Sequence, residues 1–181
     1  MATKPKSPSS PADLARAKLA SSGLTAQDAK RLRILTLTST AVQALNASFK
    51  AYPALKLTYF DFAGRPTSFY RLRYLGAMDG FDALRVKPLR YVQPPEVTPS
   101  VYLPPFGDWR EVAGNPTTAI LITEGELKAA SAAKLGLPTI GLGGVWSWKS
   151  AKARAPLLAD LAAIAWKGRL VYLVFDSDFS S

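Results

Sequence analysis

The stretch that most constrains this chain begins at Thr117, where short apolar runs alternate with helical segments. Ala119-Ile-Leu-Ile-Thr123 predicts a strand buried on both faces, and Glu126 to Leu135 predicts a helix stopped by Gly136. Pro138-Thr-Ile-Gly-Leu142 predicts a second strand that runs into Gly143-Gly144. A second helix is expected over roughly Ala151–Trp166, and a third buried strand over Arg169–Phe175. Strands joined through helices by short connections must pair in parallel with right-handed crossovers. An α/β fold with a parallel sheet follows for this part of the chain, and no internal repeat is visible.

The preceding residues have a different grammar. Residues 1–10 are mostly Pro, Ser and Lys and read as a flexible tail. Pro11 opens a helix after Ser10 that ends at Gly23, and Thr25 with Asp28 forms an acidic variant of the capping box for a short helix through Arg33. A third helix follows Ser39 through Val42 and Leu45. Leu55–Phe62 and Ser68–Leu75, joined by Ala63-Gly-Arg-Pro66, predict a β-hairpin. Alternation puts Phe69, Arg71, Arg73 and Leu75 on one of its faces and Tyr70, Leu72 and Tyr74 on the other. Further short strands are expected near Leu89–Val92 and Val101–Leu103. The expected organisation is a tail at 1–10, a basic helical and hairpin section at 11–115, and an α/β domain at 116–181.

Composition narrows the chemistry. The chain has no Cys and no His, which excludes disulfides, zinc ribbons, Cys or His nucleophiles and histidine acid/base catalysis. Any metal must be held by oxygen, as suits Mg²⁺ or Mn²⁺. The 48% of apolar residues supports a real core, but no run approaches the roughly 18 apolar residues of a membrane span. The N-terminus lacks the apolar core of a secretory signal, so a cytoplasmic location is expected, with no membrane partner. Lys and Arg number 23 against 13 Asp and Glu, for a net charge of +10, which suits a polyanionic partner. Between Lys30 and Arg90 there are 11 basic residues and only three acidic ones, Asp61, Asp79 and Asp82. The basic excess therefore sits in the N-terminal part.

Two acidic clusters directly follow predicted parallel strands, Glu124-Gly-Glu126 and Asp176-Ser-Asp178. Ligands gather at the carboxyl ends of strands in open α/β sheets, so carboxylates distant in sequence can converge there. An Asp-x-Asp pair can offer two carboxylates to one hard cation, and Gly125 lets a phosphate or metal approach the backbone beside Glu124. Glu124 and Glu126 can equally be ordinary acidic residues at a helix N-terminus, and Asp176 a loop-starting residue.

These segments resemble the Toprim domain. The match runs through Ile122-Thr-Glu-Gly-Glu-Leu-Lys-Ala129, then Gly141-Leu-Gly-Gly-Val-Trp-Ser-Trp148, then Val174-Phe-Asp-Ser-Asp178. It is most similar to Toprim-containing proteins of phages and plasmids, often fused to primase or helicase modules. The Tyr59–Gly64 and Tyr70–Tyr74 hairpin, Arg90-Tyr91 and Tyr102-Leu-Pro-Pro105 extend the likeness over roughly residues 20 to 178. The resemblance implies a partial Toprim, Rossmann-like parallel sheet preceded by a small basic α+β section, ending short of the usual further helix and strand. It implies Glu124 as general acid/base and Asp176 and Asp178, with Glu124, as ligands of Mg²⁺ or Mn²⁺. Many Toprim primases carry an aspartate four residues after the glutamate. Lys128 stands there, as in the phage and plasmid subgroup.

The function implied is a primase-like replication module of a mobile element that binds divalent metal and single-stranded DNA, or an RNA-primed template, for primer synthesis. The isolated chain is expected to be a weak nucleotidyltransferase, with a helicase or polymerase module as a partner. A Toprim metal-dependent nuclease and a non-catalytic nucleic-acid-binding or partner-binding remnant are the alternatives. Arg71, Arg73, Arg90 and Lys128 are the expected nucleic-acid contacts, with Phe69 as a stacking platform beside the hairpin arginines. That hairpin face can equally be a solvated, charged strand face. Trp146 and Trp148 are expected to pack into the core. No Walker A sequence is present, so no helicase motor is encoded here.

Overall fold

The computed structural model describes residues 10–76, 90–95, 97–149 and 156–176. The N-terminal section holds three helices, α1 (Pro11–Ser21), α2 (Ala26–Arg31) and α3 (Ser39–Leu45). Each has the side-chain cap its sequence offers. Ser10 accepts from the Asp13 amide, Thr25 and Asp28 form a complete capping box, and Thr38 accepts from the Ala41 amide. Around them runs an antiparallel sheet in the order β1 (Leu35–Leu37), β2 (Ala54–Phe60), β3 (Pro66–Tyr74), β4 (Tyr91–Val92). The β2–β3 hairpin turns where Gly64 takes φ 70, with the Asp61 carboxylate accepting from the Ala63 and Arg65 amides.

The second sheet is parallel, in the order β6 (Thr139–Leu142), β5 (Ile120–Glu124), β7 (Val171–Val174). Ile122 lies opposite Ile140 on one side and Leu173 on the other. α5 (Glu126–Ala133) makes the crossover from β5 to β6 and α6 (Ala159–Ala162) lies between β6 and β7. The fold is thus mixed α/β, a parallel sheet joined to an antiparallel hairpin sheet. Gly125 sits between β5 and α5 at φ 93 and ψ 145, a backbone state that only glycine adopts without strain. The chain can therefore turn sharply beside Glu124 without a side chain filling the space.

The two sheets share a core. Leu127, Ala129 and Ala130 of α5 pack with Leu55, Leu57, Tyr59 and Phe69 of the hairpin and with Ala15 and Leu24. Tyr59 is met edge-on by Phe69 at 4.6 Å and by Tyr102 at 5.2 Å between ring centroids, the tilted arrangement aromatic pairs prefer. A second cluster, with Val101, Leu103, Trp109, Ile120, Ile140 and Ile164, fills the other face of the parallel sheet.

Several expectations are corrected. Of the helix expected over Ala151–Trp166, residues 151–155 lie outside the described part, and within 156–166 only α6 is helical. Pro156 cannot donate an amide hydrogen and crowds the preceding turn, which disfavours a helix running through it. The third strand is not buried. Tyr172, Leu173 and Val174 are 50%, 67% and 51% exposed, because β7 is an edge strand and no described element covers it. Val101–Leu103 is fully buried but forms only an isolated bridge, Tyr102 to Gly141, in place of a strand. β1 and a short helix α4 (Trp109–Gly114) were not anticipated. The latter is capped by Asp108, and Arg169 donates to four backbone carbonyls, those of Val112, Ala113, Thr118 and Ala165, tying α4 to the start of β7. Among the described residues no helix is long and apolar enough to cross a membrane.

Candidate nucleic-acid and metal cleft

Glu124 ends β5, and Asp176 lies two residues beyond the end of β7. Since β5 and β7 are paired in parallel, with Thr123 opposite Val174, the two carboxylates stand at neighbouring strand ends. They open into a cleft of about 1030 Å³. Its other wall comes from α1 and the antiparallel sheet, which contribute Lys18, Arg71, Arg73 and Arg90. Lys128, on the first turns of α5, completes the lining and forms an ion pair with Asp176 across the opening. Every expected charged site residue among those described therefore lines one cleft, and Asp178 lies outside the described residues.

Lys18 is the cleft cation that sequence reasoning missed. Burial holds its ammonium below the ordinary value, and repulsion from Arg73, Arg90 and Lys128 pushes the same way. Three cations from three other segments are close enough to repel the Lys18 ammonium, which marks a place suited to an anion. The only sequence signal was its position on α1, and nothing local announced which neighbours that face would meet.

The hairpin arginines differ from each other. Arg71 is largely buried, its side chain 11% exposed, and its Nη1 donates to Glu126 Oε1 at 2.8 Å. Glu126 is fully buried and also accepts from the Tyr59 hydroxyl at 2.7 Å. Burial pulls the Arg71 guanidinium down, but the Glu126 carboxylate and Tyr59 outweigh it and hold it above its ordinary value. Burial, then Glu126, pushes the Tyr59 hydroxyl well up. Glu126 was expected only as part of an acidic cluster or as a helix-start residue. It is instead the buried counterion of Arg71. Gly143 is pressed against the same guanidinium, since an added Cβ would meet Arg71 Nη1 at 2.8 Å.

Phe69 is not a stacking platform, being 6% exposed in the core against Tyr59. The aromatic ring beside the arginines is Tyr91, with the Arg71 and Arg73 guanidinium carbons 5.0 and 5.7 Å from its centroid. Trp148 packs against the second core cluster as expected, but Trp146 is 73% exposed.

The donor set can be tested against a divalent metal. Glu124 and Asp176 are hard oxygen donors facing the cleft, while Glu126 is committed to Arg71 and Tyr59. No group of three or more candidate ligands occurs among the described residues. Mg²⁺ commonly needs only one or two carboxylates, completing its shell with water and substrate phosphate, so these residues fit it.

A mixed α/β chain in which a basic antiparallel section packs on a parallel sheet, with acidic residues at the strand ends, is similar in fold to the catalytic core of DNA primases. The E. coli primase catalytic core superposes with a TM-score of 0.52 at 16% identity, covering 95% of this chain and 68% of that one. A DnaG primase catalytic domain bound to single-stranded DNA superposes with a TM-score of 0.51 at 16% identity, over the same shares of 95% and 68%. A family model described as a domain of unknown function, DUF3854, matches residues 108–181. No curated protein matches the sequence.

Proposed function

We propose that this chain is a primase-like, Toprim-containing replication module of a phage or plasmid, whose cleft takes single-stranded DNA and a divalent metal for primer synthesis. One observation carries the reading. Carboxylates at the ends of two paired parallel strands face a cluster of five cations in a single cleft. The fold likeness to primase cores, one of them bound to single-stranded DNA, supports it.

Each group has a task in this reading. Lys18, Arg73 and Arg90 neutralise phosphates of the template or incoming nucleotide, and Tyr91 offers a ring edge beside them. Arg71 is oriented by Glu126, so that the side of its guanidinium facing the cleft meets a phosphate from a fixed position. Glu124 moves the proton of the attacking hydroxyl. Asp176 and Asp178, with Glu124, would hold Mg²⁺ or Mn²⁺, which when bound neutralises non-bridging phosphate oxygens. Lys128 covers Asp176 until it is drawn to a phosphate.

The test is primer synthesis on a single-stranded template with Mg²⁺ or Mn²⁺, beside DNA binding by the same samples. Glu124→Gln should abolish synthesis and leave DNA binding intact. Cleavage of the template in place of extension would favour the nuclease alternative. DNA binding with neither reaction, unaffected by Glu124→Gln, would leave a non-catalytic binding module.

A further inference from the structure

A second concavity, of about 1190 Å³, lies between α1, α2 and the strands β1 to β3 and shares no lining residue with the cleft. Its floor is apolar. Ala15, Leu24 and Phe69 are buried beneath it, Leu19 and Ile34 are half-buried, and Leu35 on the edge strand β1 is 52% exposed. Its rim is basic, with Arg16, Lys30, Arg33 and Lys56, and no carboxylate lines it. The acidic residues of α1 and α2 are engaged by cations, Asp13 with Arg16 and Asp28 with Lys134 on the side facing α5. Lys30 and Arg33 have no carboxylate partner among the described residues.

We propose that this groove docks an acidic amphipathic peptide segment of a partner protein, with apolar side chains on the floor and carboxylates at the rim. Charge complementarity sets the sign of the partner, and the apolar floor sets its class. Single-stranded nucleic acid would need ring faces to stack on. The two rings here do not offer them. Phe69 is buried against Tyr59, and the Lys56 ammonium lies 4.5 Å over the Tyr70 ring. A peptide needs only alternating apolar anchors and flanking charge. The inference is independent of the primase reading, because it concerns different residues.

Fluorescence anisotropy with a short labelled peptide of repeating Asp-Leu-Asp-Phe tests it, with the Lys-for-Asp peptide and an oligothymidylate as the other probes. The wild type should bind the acidic peptide and not the basic one. Lys30→Glu/Arg33→Glu, both exposed positions, should weaken that binding roughly tenfold or more, and Leu35→Gln should weaken it with the rim intact. The thermal midpoint and oligothymidylate binding should stay as in wild type. Absence of acidic-peptide binding, or equal affinity in wild type and the charge-reversed variant, would overturn the proposal. A selective loss of oligothymidylate binding in that variant would also overturn it and make the groove a nucleic-acid surface.

Discussion

Glu126 and Lys128, two residues apart on one helix, have opposite roles. Glu126 points inward with no exposure and neutralises Arg71, while Lys128 points outward and pairs with Asp176. Removing one partner of a buried pair strands the other charge, at a cost of about 3–5 kcal/mol. Glu126→Ala should therefore lower unfolding free energy by about 3 kcal/mol in urea titration, whereas Glu111→Ala on the exposed side of α4 should change it by less than about 0.5 kcal/mol. A smaller loss at Glu126 would mean that the pair does not hold the sheets together. The Lys128–Asp176 pair is exposed, and such pairs contribute about 0.2–1 kcal/mol. A metal at Asp176 has to displace Lys128, so Lys128→Ala should tighten Mn²⁺ binding by roughly two- to fivefold. Calorimetric titration of Mn²⁺ into both proteins checks this, and weaker binding in the variant would make Lys128 a supporter of the site.

At the level of elements, the α2–α5 contact has a pH signature. Lys134 donates to Asp28 Oδ2 at 2.8 Å and to the Gly23 carbonyl at 2.7 Å, and Asp28 also closes the Thr25 cap. The lysine hydrogen bond, with the Thr25 amide, holds the Asp28 carboxyl down at about 2 from the usual 3.8. A lowered folded pKa stabilises the protein fully above the unfolded value and is lost as pH falls through the folded one. Stability should therefore drop between about pH 4 and pH 2 by an amount that Asp28→Asn removes, on the order of 1 kcal/mol after solvent screening. Urea midpoints across that range, wild type beside variant, measure it, and parallel curves would show that Asp28 contributes nothing.

The elements that sequence displayed well were those with local punctuation. Pro11, the Thr25–Asp28 box, the Gly64 turn and Gly136 all mark boundaries the structure keeps. The elements it hid depend on distant partners. β1 is three residues whose ladder partner is the distant β2, and Val101–Leu103 is a buried extended segment whose isolated bridge goes to Gly141. Conversely, the apolar run at β7 reads as buried because its composition is that of a covered strand, although its side chains are exposed here. α4 could have been found, since Asp108 followed by Glu111 is a capping signature ahead of an apolar pair.

Over the whole molecule, the cleft exists because α5 is packed on both sides. One side meets β5 and β6 and the other meets the antiparallel sheet, so the basic section must face the strand ends that carry Glu124 and Asp176. Residue type and strand position made Glu124, Asp176 and the hairpin arginines legible as candidates. That Arg71 would face inward to Glu126 and Lys18 would join the cleft was not legible, because both depend on how two sheets dock. The most direct test of the cleft as a nucleic-acid site is the salt dependence of oligothymidylate binding, followed by anisotropy in wild type and in Arg73→Ala/Arg90→Ala. Affinity in the wild type should fall steeply with salt. The variant should bind more weakly with a slope shallower by about 0.7 per lost phosphate contact, or about 1.4 for two. An unchanged slope and affinity in the variant would contradict the account.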